Sequence, residues 1–142
     1  MGFSVSGSAA LIFVAAFIGF GMFYSAAANS AERVNDARED RADRQLTQTN
    51  TEIELRTVSY NPLADSLNVT VENTGTTELS VRHVDLLLDN SYRTDYRTAV
   101  DGDTGTDLWL PGETLTINAT PSSRPSSVKV VTGPGVAATE VL

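Results

Sequence analysis

Hydrophobic and polar positions divide the sequence into three segments with different periodicities. The first segment contains no charged side chain before Glu32 and includes a dense apolar run over residues 9–24. The second, residues 31–48, is polar, lacks Pro and Gly, and places acidic residues and arginines at helical spacings. From residue 51 onward apolar and polar residues alternate in short runs that are separated by turn sequences.

The apolar run predicts a transmembrane anchor helix over residues 1–30, because about 20 mostly apolar residues cross the hydrocarbon core of a bilayer. No Lys or Arg precedes the run, and it is longer than the apolar region of a signal peptide, so we expect an uncleaved anchor. Small residues recur at i,i+4 positions, and this spacing lets two membrane helices approach closely. They are also common in membrane helices, so a homodimer or higher oligomer stays open.

The polar segment predicts a helical stalk over residues 31–49 that continues the anchor. At a rise of 1.5 Å per residue, a helix of about 45 residues would be roughly 65–70 Å long, with about half of it beyond the bilayer. Its apolar positions are too sparse for a strong coiled coil. A flexible polar linker is the alternative.

The alternating segment predicts a β-domain over residues 50–142, an immunoglobulin-like antiparallel β-sandwich of six or seven strands. The alternation slips at Arg56-Thr57, as a β-bulge would cause. The chain has no cysteine, so the core would have to rest on Val, Leu and Ile, with Trp109 and Tyr60. Strands are expected near residues 53–60, 67–71, 79–88, 92–100, 108–110, 115–119 and 128–132.

The formal net charge of −8 excludes some partners and suggests an environment. The chain has eighteen acidic and ten basic residues, and Lys129 is the single lysine among the basic ones. An acidic domain repels phosphate backbones, so we expect no nucleic-acid binding. Acid-rich, lysine-poor composition is typical of halophilic proteins, and an ordinary acidic extracellular domain is the alternative.

Catalytic and metal-binding groups are scarce. His83 is the single histidine, and Ser80 or Ser91 with His83 and Asp85 would not form a catalytic triad on one strand. The acidic loop, residues 101–107, has a D-G-D-T-G-T-D pattern similar to calcium loops, but the strand pattern after it contradicts an EF-hand, so a solvated loop is favoured. We therefore predict no enzyme activity, no cofactor and no metal.

The residues alone leave the orientation of the chain almost undecided. Four arginines follow the anchor, and the positive-inside rule would place them in the cytoplasm. Two glycosylation sequons, Asn68-Val-Thr70 and Asn118-Ala-Thr120, favour an external domain, and Asn68 and Asn118 are the candidate acceptors.

Five stretches spread over nearly the whole chain carry a resemblance: MGFSVSGSAALIFVAAFIGFGMFYSAAAN at the start, ERVNDA over 32–37, NVTVENTG over 68–75, DLWLPGETL over 107–115 and VKVVTGPG over 128–135. Together they resemble the archaellum F-type proteins of haloarchaea. The resemblance implies a component of the archaellum, the archaeal rotating flagellum, located in the cell membrane with its β-sandwich outside. It implies binding to the surface-layer protein and, with a partner of the G type, a role as the stator in motility.

The family does not supply binding residues, so the surface-layer contact is predicted from this chain. We expect it in the acidic loop and at a polar strand edge. The candidate residues are Tyr92, Tyr96, Asp101, Asp103 and Asp107. The alternative function is a pilin-like subunit of an archaeal filament, although pilins usually have a basic leader before the apolar helix and commonly a Glu near its start.

Overall fold

The computed structural model describes the backbone from Gly2 to Leu142 and the side chains from Ser6 onward. The chain divides into two units, one ending at Asp43 and one from Arg44 to Leu142. A single helix, α1, spans Gly2–Asn50, which is consistent with the absence of Pro from this stretch. Its first part leaves large apolar side chains exposed; Phe17, for example, is 79% exposed.

Ten strands and one 3₁₀ turn follow the helix. The strands are β1 (Ile53–Asn61), β2 (Ser66–Asn73), β3 (Leu79–Ser80), β4 (Asp85–Leu88), β5 (Ser91–Arg93), β6 (Tyr96–Val100), β7 (Leu108–Trp109), β8 (Thr114–Ala119), β9 (Ser127–Val131) and β10 (Ala137–Val141). The 3₁₀ turn, Val81–His83, lies between β3 and β4.

The strands form two four-stranded antiparallel sheets and one short pair. The first sheet has the order β1-β2-β8-β6, the second has the order β10-β9-β4-β5, and β3 pairs with β7. The predicted fold class, an antiparallel β-sandwich after a long N-terminal apolar helix, is confirmed. Both sheets turn their alternate apolar residues toward one shared core. The fully buried side chains of this core are Leu67, Val69, Val71, Val84, Leu86, Trp109, Leu115, Ile117, Val128 and Val130.

Two local features expected from the sequence are present. The register of β1 against β2 shifts between Leu55 and Thr57, which confirms the bulge. The turn after β7 has Gly112 at φ 83°, and the Glu113 N–H donates to the Leu110 carbonyl at 3.1 Å. This is the type II turn that a Pro-Gly pair favours.

The predicted strand count was too low. The run expected over 79–88 is divided by the 3₁₀ turn, since the Val84 N–H bonds to the Val81 carbonyl instead of a neighbouring strand. The last strand, β10, was missed because it lies at a sheet edge and pairs only with β9. Its residues are mostly small or polar, so the hydrophobic alternation is weak there.

The single edge strand predicted over 92–100 was also wrong. β5 pairs with β4 in the second sheet, whereas β6 pairs with β8 in the first sheet. The chain crosses from one sheet to the other at Thr94-Asp95, where the Arg93 guanidinium bonds the Asp95 carboxylate at 2.9 Å. Both strands lie at sheet edges, so the expected exposed edge exists, but on two sheets.

Candidate functional site

Tyr92 and Tyr96 are both close enough to Asp85 to feel its charge, although the two tyrosines belong to different sheets. Tyr92 on β5 is 59% exposed and lies opposite Leu87 of β4. The negative charge of Asp85, followed by a hydrogen bond to it, raises the pKa of Tyr92. Burial is the main cause that raises the pKa of Tyr96, with smaller contributions from the charges of Tyr92 and Asp85.

Tyr96 is less available to a partner than Tyr92. Its ring packs against the core and its hydroxyl donates a 2.5 Å hydrogen bond to the Val84 carbonyl. This bond links the edge of the first sheet to the start of the second. Tyr92 therefore supplies the accessible aromatic surface at this edge, and Asp85 is the neighbour that the sequence analysis did not assign to the site. The polar position of Asp85 between Val84 and Leu86 was the available signal.

Two carboxylates of the acidic loop stabilise the loop itself. Asp101 has φ 46°, and its Oδ1 accepts a hydrogen bond from the Thr114 N–H at 3.1 Å. Asp103 Oδ1 accepts one from the Gly105 N–H at 2.8 Å. Both aspartates are exposed, so their remaining acceptor capacity faces solvent.

Asp107 is turned inward, toward the segment that precedes the second sheet. Its carboxylate accepts hydrogen bonds from the Ser80 hydroxyl at 3.0 Å and from the Arg82 N–H at 2.8 Å. The bond from the Arg82 N–H is the main cause that lowers the pKa of Asp107. The Ser80 hydroxyl therefore donates to Asp107 and not to His83, so this serine and the histidine are not paired as in a catalytic triad.

The acidic loop does not bring its carboxylates to one point. Asp101, Asp103 and Asp107 bond to different backbone segments, as described above. Within residues 2–142 as described, no group of three or more His, Asp or Glu side chains is placed to hold a metal ion. The loop can present negative charge to a partner but has no assembled cation site.

Two of the sequence stretches that carry the resemblance, residues 68–75 and 107–115, are joined by hydrogen bonds at one end of the sandwich. Asn73 is fully buried, and its amide donates to the carbonyls of Thr77 at 2.9 Å and Trp109 at 3.3 Å. The Trp109 indole donates to the Glu113 carbonyl at 2.9 Å, and that same carbonyl accepts from the Asn73 N–H. Sequence reasoning did not find this role of Asn73, because a polar residue at a strand end predicts only a turn.

The same end of the sandwich holds the last turn of α1. The Gly75 N–H donates to the Glu52 carbonyl, and the Thr76 N–H donates to the Asn50 carbonyl, both at 2.9 Å. The Thr51 hydroxyl donates to the Thr47 carbonyl at 2.7 Å. Carbonyls that a helix end leaves without partners are thus satisfied by the β-domain.

The candidate glycosylation residues, Asn68 and Asn118, lie on the first sheet. Both are exposed, and they are direct partners in the register of β2 against β8. They are therefore on the outward face of this sheet, whereas Tyr92 is at the edge of the second sheet.

Comparison with solved structures finds some that are similar to the chain. Among solved structures, the chain is similar to "Archaellum periplasmic stator protein FlaG from Sulfolobus acidocaldarius", with 14% identity, a TM-score of 0.49, and coverage of 65% of this chain and 99% of that chain. It is also similar to the periplasmic stator complex of FlaF and FlaG from the same organism, with 15% identity, a TM-score of 0.47, and coverage of 65% and 89%.

The sequence comparisons give a family. No curated protein sequence matches the chain. A family model described as archaeal-type flagellin matches residues 2–141. Since this match spans nearly all of the chain, the protein belongs to the archaeal-type flagellin family.

Proposed function

We propose that this protein is an archaellum component that is anchored in the cell membrane and acts as a stator. In this proposal the β-sandwich lies outside the membrane and binds the surface-layer protein, with an archaellum G-type protein as a second partner. The family assignment supports the archaellum context. The resemblance of the sequence to archaellum F-type proteins supports the stator role. The observation that carries the proposal is the change in the character of α1 at Glu32.

The two parts of α1 require different surroundings. Before Glu32 the helix has no charged residue, and its phenylalanines are exposed, as Phe13 is at 73%. By length and composition, the stretch Ser6–Asn50 qualifies as a membrane-crossing helix. Between Glu32 and Arg44, nine of thirteen residues are charged. Moving such charges from water into an apolar interior costs several kcal/mol per ion.

These requirements favour a helix that is embedded in lipid over its first part and solvated over its second. A stator needs this combination, because it must be fixed in the membrane while its folded domain contacts an external structure. We expect the contact to use Tyr92, Asp101 and Asp103, whose side chains are exposed. Tyr96 and Asp107 would contribute by holding this surface in place.

A filament subunit is the second candidate, and two observations favour it. The family model is that of archaeal-type flagellin, and the apolar side chains at the start of α1 are uncovered within the chain. In a filament they would pack against the helices of other copies. The charged stretch Glu32–Arg44 would have to stay solvated in such a filament. A filament core formed along the whole length of α1 would bury these charges, which is costly.

The two candidates can be separated with the full chain in lipid nanodiscs. Nanodiscs with and without the protein are mixed with purified surface-layer protein at molar salt, and binding is measured by co-sedimentation. We expect saturable binding that Tyr92→Ala with Asp103→Ala weakens. Leu63→Ala, in the 97% exposed turn residue between β1 and β2, is the matched control. Absence of binding, together with the chain repeating along isolated filaments, would contradict the stator.

A further inference from the structure

One row of residues across the first sheet contains both sequon asparagines. In register, Ser59 of β1 faces Asn68 of β2, Asn68 faces Asn118 of β8, and Asn118 faces Arg97 of β6. All four residues are exposed. The two candidate acceptors therefore stand side by side in the middle of a polar sheet surface, which the sequence separation of fifty residues does not suggest.

The two sequons run in opposite directions along the sheet, because β2 and β8 are antiparallel. In the antiparallel register, Thr70 lies one row further along the sheet, opposite Thr116. Thr120 lies beyond the end of β8 and is exposed. Asn68 shares its outward face with Thr70, because side chains alternate along a strand. Both sequons are therefore presented on the surface of the folded domain.

We infer that Asn68 and Asn118 form a single N-glycosylation locus that accepts one glycan per chain. Directly opposed residues of an antiparallel pair have Cβ atoms about 4.5–5.5 Å apart. An N-linked glycan is bulky, so a sugar on either asparagine stands over the other one. The neighbouring asparagine is then closed to the transferase, and occupancy of one acceptor excludes the other.

The surface around Asn118 has room for the first sugar of such a glycan. An open cleft lies beside it, at the edge of the first sheet, and includes Ser66, Tyr96, Arg97 and Thr120. On the other side of the pair, Ser59 has a small side chain. Asn68 is therefore also open to the transferase when Asn118 carries no glycan, so each asparagine can be modified when the other is not.

The inference rests on the proposed external location of the β-domain, and the experiment separates the two. The full chain is produced in an archaeal host that N-glycosylates exported proteins, and intact masses are measured. We expect one glycan on the wild type, one on Asn68→Gln, one on Asn118→Gln and none on the double variant. Thr70→Val and Thr120→Val, which destroy the sequons without changing the asparagines, should reproduce the single-variant results.

A control sequon tests whether the domain reaches the transferase at all. Ala64→Asn in the double variant creates an acceptor sequence at positions 64–66, in the exposed turn between β1 and β2. If the two asparagines were modified independently, the fraction of wild-type chains with two glycans would equal the product of the occupancies measured in the two single variants. Because one sugar blocks its neighbour at this spacing, we expect that fraction to be at least about tenfold lower than the product.

Three results would overturn the inference. A fraction of doubly glycosylated wild-type chains equal to the product of the two single-variant occupancies would show that the sites are independent. An unmodified wild type, with the control sequon modified, would show that the domain is external but that the paired asparagines are not acceptors. If the control sequon is also unmodified, the external location fails as well, and with it the stator proposal.

Discussion

At the residue scale, Gly75 is constrained by close packing. A Cβ atom at this position would lie 2.5 Å from the Glu52 nitrogen and 2.6 Å from the Asn50 carbonyl oxygen. Both neighbours are backbone atoms, and the Asn50 oxygen also accepts the hydrogen bond from the Thr76 N–H, so they cannot move aside freely. The requirement for glycine at the end of NVTVENTG is therefore steric, and it concerns the junction of helix and sandwich.

We expect Gly75→Ala to lower the free energy of unfolding of the β-domain by about 1–3 kcal/mol, the usual cost of overpacking. Chemical denaturation monitored by Trp109 fluorescence would measure the change. Gly105→Ala is the matched control, since its added Cβ would meet only Asp103 Oδ1 at 3.4 Å. Equal stability of the two variants would contradict the close approach at Gly75.

Asp107 gives a prediction about pH. The hydrogen bond from the Arg82 N–H, followed by that from the Ser80 hydroxyl, holds the pKa of Asp107 below the ordinary aspartate value of 3.8. A group with a depressed pKa in the folded state stabilises the fold above its unfolded pKa, and this stabilisation is lost as pH falls through the folded pKa. The stability advantage of wild type over Asp107→Asn should therefore be constant near neutral pH and shrink below about pH 3.8.

Denaturation midpoints of wild type and Asp107→Asn, measured from pH 7 downward, would check this expectation. Asp103→Asn serves as the control, because the Asp103 carboxylate accepts its hydrogen bond from the Gly105 N–H, within the acidic loop. If the difference in denaturation midpoint between wild type and Asp107→Asn stays constant through the acid range, the proposed link between the ionisation of Asp107 and the stability of the fold is contradicted. The comparison also tests whether the acidic loop is tied to the start of the second sheet.

At the scale of elements, the sequence predicted the inner strands β2, β8 and β9 well and three of the four edge strands poorly. β2 and β8 are covered by a strand on each side, so their inward apolar residues alternate clearly. β5, β6 and β10 lie at sheet edges, where outward and inward residues differ less in polarity. The crossing between β5 and β6 depends on tertiary contacts such as Tyr96 with Val84, and local periodicity cannot report such contacts.

The end of α1 gives an element-scale prediction. A β-domain beginning at Arg44 should be more stable than one beginning at Thr51, because the shorter chain lacks the Asn50 carbonyl that accepts from the Thr76 N–H. It also lacks the Thr47 carbonyl that accepts from the Thr51 hydroxyl. Each net hydrogen bond contributes about 0.5–1.5 kcal/mol, so we expect a difference of about 1–3 kcal/mol.

Thermal unfolding of the two fragments would measure this difference, with a fragment beginning at Leu46 as the control that keeps both carbonyls. Equal Tm values for the fragments that begin at Arg44 and Thr51 would contradict a structural role for the last turn of α1. The turn between Asn73 and Thr77 would then be stabilised by the sandwich alone.

At the scale of the whole molecule, the sequence located candidate residues but could not relate them to one another. It identified the tyrosines, the acidic loop and both sequons, because each is visible as a local pattern. It did not show that Asn68 and Asn118 are partners across β2 and β8, or that Tyr92 lies near Asp85. Those relations depend on strand order and register, which are set by long-range pairing.

The two outer sheet surfaces of the sandwich differ in polarity, and this difference gives the last prediction. The middle of the first sheet is polar, with the paired sequon asparagines at its centre. On the second sheet, Leu87 lies between Tyr92 and Lys129, and Val131 lies opposite Asp85. Aromatic groups are enriched in protein-binding surfaces, so we expect partner contact to use the outer surface of the second sheet in addition to the acidic loop.

We expect Tyr92→Ala to reduce the fraction of swimming cells while the amount of protein in the membrane stays unchanged, because the aromatic group at this edge contributes to binding and does not support the core. Ser59→Ala, an equally exposed change on the first sheet, should leave swimming unaltered. Microscopy of cells that carry each variant, with membrane levels measured by immunoblot, would provide the test. Loss of swimming with Ser59→Ala but not with Tyr92→Ala would place the working surface on the first sheet and would contradict the expected division between a glycan-bearing face and a binding face.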